Sequence, residues 1–132
     1  MRVTAPRRLA GINALQWTVQ IILCGLYLYT GWAKLAMTPG LLHGAGSLFF
    51  PFLGACEFLG ALGLILPGAL RTATWLTPVA AGGLAIIMIG AIHALAVGGE
   101  SAMLWLPVAA LLGDLFVLAG RLWWAPVRSR RV

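Results

Sequence analysis

Acidic residues are nearly absent from this chain: three Asp and Glu among 132 residues, against nine Lys and Arg. Charged residues of both signs make up 9% of the sequence, where a soluble domain carries about 25%. So few charges cannot clothe a water-facing surface, which excludes a soluble globular domain. Cysteine is scarce as well, two residues with no C-x-x-C spacing, and this argues against a dithiol–disulfide catalyst. Two histidines, one of them in a loop, make a poor metal or haem centre, and no metal site is expected. Also missing are a glycine-rich phosphate loop, a dinucleotide fingerprint and a serine–histidine–acid pattern with workable spacing.

What the chain does have is apolar length, with 61% hydrophobic residues. A transmembrane helix needs about 20 predominantly apolar residues, and four such runs fit with only short loops left over. The first covers about Ile12 to Met37 and ends before Thr38-Pro39-Gly40, where proline and glycine stop a helix. The second covers about Ser47 to Leu66, with Pro67-Gly68 as its stop; the third covers about Thr74 to Val97 and closes on Gly98-Gly99. The fourth covers about Ala102 to Trp124 and ends before Pro126. Pro51, Pro78 and Pro107 fall near the starts of their runs, where neighbouring helices can satisfy the freed carbonyls.

The cations orient these runs. Arg2, Arg7 and Arg8 precede the first, and Arg71 lies between the second and third. Arg121, Arg128, Arg130 and Arg131 cluster at or beyond the end of the fourth. With four spans these eight of the nine basic residues share one side, and only Lys34 falls on the other. That is the positive-inside bias. It also checks the span count, because three or five spans would scatter the arginines over both faces. The net charge of +6 therefore reads as topology and contact with anionic headgroups. It does not read as nucleic-acid binding, for which the chain has no folded basic module. The first run is too long for a cleaved signal core and lacks a clear small-x-small cleavage site, so a retained span is expected. The expectation is an all-α transmembrane four-helix bundle, a single domain over residues 1–132, up-down-up-down, with both termini in the cytoplasm.

Polar residues inside the spans are the candidates for function. Asn13, Gln16, Gln20, Cys24, Tyr27, Gly31 and Lys34 recur every three or four residues, which places them on one stripe of the first helix. Facing lipid they would be costly, so the stripe should turn into the bundle, as a helix seam or as the wall of a ligand cavity. Glu57 lies near the middle of the second span, with Gly54, Gly60 and Ala61 one turn away. Unless a cation stands beside it, burial in hydrocarbon favours its neutral form. His93 lies near the end of the third span and Asp114 near the centre of the fourth, with Arg121 two turns beyond. Asp114 could accept a hydrogen bond from Gln20. Counting the rise from each midpoint puts Glu57, Asp114 and the two cysteines at mid-membrane, and Lys34 and His93 about 12–14 Å outward. Lys34 is then close enough to the surface to snorkel.

Gly31-Trp32-Ala33-Lys34-Leu35 resembles the G-x-x-K-L ending of the first span in DoxX-like membrane proteins. Glu57-Phe58-Leu59-Gly60-Ala61-Leu62-Gly63-Leu64, a third span rich in glycine and alanine that ends near a histidine, and Arg121 closing the fourth are similar to that family in order and spacing. The resemblance runs from about Leu15 to Arg121 and implies a multi-pass bundle in the inner (cytoplasmic) membrane. Some relatives are described as small subunits of quinone-linked sulfur oxidation or as parts of oxidative-stress membrane complexes. Lys34, Glu57, His93 and Arg121 carry over by position; Asp114, Gln16 and Gln20 have no counterpart in the pattern.

Two functions follow as expectations. In the first, the bundle is an accessory subunit or binder that holds a lipophilic small molecule, such as a quinone, against Lys34, Gln20, Tyr27, Glu57 and His93. Its partners would then be the lipid bilayer, that ligand or a membrane redox protein, with further copies of itself as an open question. In the second, it is a small membrane enzyme in which Glu57 donates a proton to an apolar substrate for isomerisation or cyclisation, with His93 or Asp114 assisting. A proton-coupled transporter ranks behind both, since four spans without internal repeats offer little for alternating access. No cofactor beyond a quinone is suggested.

The charge asymmetry yields a direct test of topology. A reporter active only in the cytoplasm should give signal when fused after Val132 and none when inserted at Gly99. The opposite pattern would overturn the assignment of the termini.

Overall fold

The computed structural model describes residues 7–36 and 46–128. Within them the chain forms four long helices and no strand. They are α1 (Arg7–Ala36), α2 (Gly46–Leu70), α3 (Leu76–Gly98) and α4 (Trp105–Ala119). A 3₁₀ turn, Ser101–Met103, leads into α4, and a π-helical turn, Gly120–Trp124, continues it. The stretches Leu9–Ala36, Leu48–Leu70, Leu76–Gly98 and Ser101–Trp124 are each long and apolar enough to cross a membrane. Met37 and the Thr38-Pro39-Gly40 stop lie outside the described residues.

One helix end differs from the sequence expectation for a physical reason. Pro67-Gly68 should stop the second helix, yet α2 continues to Leu70. Proline deletes one backbone hydrogen bond, but packing holds the last turn in place. Pro67 and Gly68 are both buried. Trp17 of α1 lies over Gly68, where an added Cβ would come within 3.1 Å of its ring. The turn closes beyond it, with the Thr72 amide donating to the Pro67 carbonyl at 3.2 Å.

The bundle is apolar outside and partly polar within. Ile21, Ile22, Leu59, Ile86 and Leu112 are exposed, while Gln16, Gln20, Glu57, Thr77, Asp114 and Arg121 are buried. Hydrocarbon outside the bundle removes the usual penalty on exposed leucine and isoleucine, and places it on any polar group left facing outward. Leu23, Tyr27, Ala61, Leu64, Leu84, Met88, Ala110 and Val117 fill the core between the polar groups.

The helices close a ring, with α1 and α3 each packed against both α2 and α4. Lipid supplies no hydrophobic drive for helix association, so close backbone approach has to provide it. The tightest approach joins α1 to α2. A Cβ added to Gly54 would lie 2.7 Å from the Gly31 carbonyl oxygen, and one added to Gly31 would lie 2.8 Å from the Gly54 carbonyl oxygen. Neither neighbour is a flexible side chain, so neither can step aside. Trp17 on Gly68 and the bond from Gln20 to the Leu64 carbonyl continue the same pairing. Positions that rise along α1 fall along α2.

Gly54→Ala should therefore lower stability in detergent by about 1–3 kcal/mol, the range for overpacking a tight contact. Gly83→Ala, at an exposed site on α3 with open space around it, should change stability by less than about 0.5 kcal/mol. Thermal unfolding of the two purified variants checks the contrast, and equal effects would remove the crossing from its central place.

Candidate functional site

One turn beyond the Gly31–Gly54 crossing on each helix stand Lys34 and Glu57. Lys34 Nζ is ion-paired with Glu57 Oε1, and Thr30 Oγ1 donates to Glu57 Oε2 at 3.2 Å. Glu57 has no exposed side-chain surface, and the Lys34 side chain keeps 26% of its own. The depth count had separated these two groups and let Lys34 snorkel outward; the structure corrects it. Side chains lean toward the N-terminus of their own helix. Because α1 and α2 run in opposite senses, Lys34 and Glu57 lean toward each other, and the lysine stem spans what remains. A carboxylate in hydrocarbon needs a cation or a proton, and here the same seam supplies the cation.

The second polar contact lies one to two turns further along α1. Tyr27 donates its hydroxyl to Asp114 Oδ2 at 2.5 Å, joining α1 to α4. Gln20, one possible donor to Asp114, instead donates to the Leu64 carbonyl and accepts from Arg121. Asp114 Oδ1 is buried and has no hydrogen-bond partner among the described residues. Between these two contacts opens a cavity of about 150 Å³. Tyr27, Thr30, Lys34 and Glu57 are its polar lining residues, and Leu26, Met88, Leu95 and Leu106 are among its apolar walls.

The third polar contact sits at the arginine-bearing end. Arg121 is buried and donates through Nε and Nη2 to Gln20 Oε1 and through Nη1 to Asn13 Oδ1 and the Ala125 carbonyl. Its guanidinium also stands 5.2 Å from the centre of the Trp17 ring. The π-helical turn makes this reach possible: the Ala125 amide bonds the Gly120 carbonyl at 2.7 Å, one residue further than an α-helix allows. A Cβ at Gly120 would overlap the end of the Gln16 side chain, whose Nε2 donates to the Phe116 carbonyl at 3.0 Å, so a larger residue there would displace that bond.

The structure thus brings Lys34, Tyr27 and Glu57 to one cavity. Gln20 joins the arginine cluster, and Asp114 meets the cavity group only through Tyr27. His93 is exposed on the outer side of α3 and does not line the cavity. Cys24 and Cys56 are free thiols, each half-buried. Sequence reasoning missed Thr30 as a partner of Glu57, although its spacing of three from Tyr27 and four from Lys34 was a usable signal. It also placed Asn13 on the stripe without finding its partner, because nothing local announces a contact between residues 13 and 121.

Four membrane-length helices enclosing a polar seam define an integral membrane bundle. A model of the DoxX-like family matches residues 18–119, most of the chain, and the chain belongs to that family. No curated protein and no solved structure matches it.

Pair chemistry predicts a particular stability pattern. Glu57→Leu alone strands a lysine and Lys34→Met alone strands a carboxylate, each costing about 3–5 kcal/mol. The double variant removes both charges and should recover most of that loss, since apolar replacement of a buried pair is often neutral. Unfolding of all four proteins in one detergent measures the coupling, and additive losses would show that the two side chains do not depend on each other.

Proposed function

We propose that this DoxX-like membrane protein binds a lipophilic small molecule in the cavity beside Lys34 and Glu57. The reading is carried by one observation: an apolar cavity of about 150 Å³ whose lining includes Lys34, Glu57, Thr30 and Tyr27. A dry apolar cavity of about that size takes a single benzene-sized ring. Lys34 Nζ carries three N–H donors, and those not engaged by Glu57 fit a ring with acceptor oxygens, as in a quinone head, whose tail would leave between helices into lipid. We further infer that the chain lies in the inner membrane with its arginine-rich end in the cytoplasm, and that it serves a redox partner there as an accessory subunit.

The ion pair favours a second reading. Shifting a proton from Lys34 to Glu57 leaves the pair with no net charge in either state; lending that proton to a substrate leaves the pair with one negative charge beside the cation it has made, and taking a proton back restores both. That suits acid–base isomerisation of an apolar substrate. His93, exposed on α3, has no part in either reading.

Titration of the purified protein with a short-tailed benzoquinone tests the binding reading. Wild type should bind it saturably, and Ala91→Phe, which fills the cavity wall, should abolish saturation while the protein stays folded. Unsaturable uptake equal in both proteins would sink the proposal. Glu57→Gln separates the two readings: a binder should still take up the ring, whereas an enzyme variant should hold its substrate without turning it over.

A further inference from the structure

At the arginine-rich end a wider cleft, about 520 Å³, opens between the ends of α1 and α2 and the segment after α4. Trp17, Trp124 and Val127 give it apolar walls, and Arg71 and Arg128 stand on its polar side. The cleft is independent of the cavity beside Glu57, with which it shares no lining residue.

Its electrostatics are one-sided. The three acidic residues of the chain are Glu57, Glu100 and Asp114, and none of them lines the cleft. Beneath it lies Arg121, 5% exposed. The acceptors that hold its guanidinium are the uncharged Gln20, Asn13 and Ala125 carbonyl. Among the described residues its charge meets no carboxylate within ion-pair distance. Asn13 and Ala125, which bond Arg121, are themselves lining residues. A buried cation balanced only by neutral dipoles projects a positive potential into the nearest polar space, because the low-dielectric surroundings do not screen it. That space is this cleft, with two further guanidinium groups on its wall.

We propose that the cleft binds the headgroup of an acidic phospholipid. The phosphate would pair with Arg71 and Arg128 in the fork geometry that guanidinium offers to phosphate oxygens. The glycerol and the first acyl carbons would lie against Trp17, Trp124 and Val127. A free inorganic anion would use the arginines but gain nothing from the apolar walls, and a zwitterionic lipid would bring its own cation to an already positive site. Basic clefts between transmembrane helices at the cytoplasmic face are suited to anionic headgroups for the same reason.

The test is native mass spectrometry of the full-length protein in mild detergent. It is offered phosphatidylglycerol and phosphatidylcholine of equal chain length and concentration. Wild type should retain phosphatidylglycerol in preference, and sodium phosphate at the lipid concentration should not displace it. Arg71→Gln and Arg128→Gln should each weaken retention about fivefold, and the double variant roughly twenty-five-fold. Both side chains are exposed, so thermal stability without added lipid should not change; if the double variant is not recovered, the single variants carry the same test. Equal retention of the two lipids by wild type, or an undiminished preference in the variants, would overturn the proposal. Displacement by phosphate alone would also overturn it, marking a free-anion site in place of a lipid site.

Discussion

A charged pair held inside a hydrocarbon-facing bundle depends on how closely two backbones can approach. Gly31 and Gly54 bring α1 and α2 into backbone contact, and Lys34 and Glu57 can then meet one turn away. A methyl group at either glycine would push the helices apart. The carboxylate would lose its cation, and water is not there to replace it. The cavity borders this pair, so its lining there depends on the crossing.

The three polar contacts tie α1 to its neighbours in different ways. Lys34 and Thr30 hold Glu57 of α2; Tyr27 holds Asp114 of α4; Asn13 and Gln20 hold Arg121 beyond α4. In lipid, where apolar packing alone distinguishes poorly between helix registers, such bonds select one register because any slip leaves a buried polar group unpaired. α1 is therefore the organising helix, and its polar stripe is its structural signature. Asp114 Oδ1, Gln16 Oε1 and Thr77 Oγ1 remain without partners among the described residues. They give the interior polar capacity beyond what these helix contacts use.

The two ends of the bundle have different chemistry. Near Glu57 a small, mainly apolar cavity faces a pair whose charges cancel, an environment for a neutral molecule with an acceptor group. At the other end three arginines surround a larger cleft with aromatic walls, an environment for an anion with an apolar body. On the two proposals made above, one site would take a molecule dissolved in the membrane and the other a lipid of the membrane itself.

The four spans, the polar stripe of α1 and the family were legible in the chain before any fold was known, because each is a one-dimensional property: apolar length, helical spacing, and ordered short motifs. The sequence alone could not determine which polar groups meet. The depth count placed Lys34 away from Glu57 because it follows each helix axis singly. It leaves out the backward lean of side chains, which on two antiparallel helices brings the two groups toward each other. Asp114 could not be assigned to Tyr27 over Gln20, since both candidates lie on the same stripe and only the register of α1 against α4 chooses. The α2 end beyond Pro67 and the π turn that frees Arg121 depend likewise on Trp17 and Gln16 from another helix. Tertiary structure decided the pairs, and with them the cavity, because a buried bond is a property of two helices and their crossing.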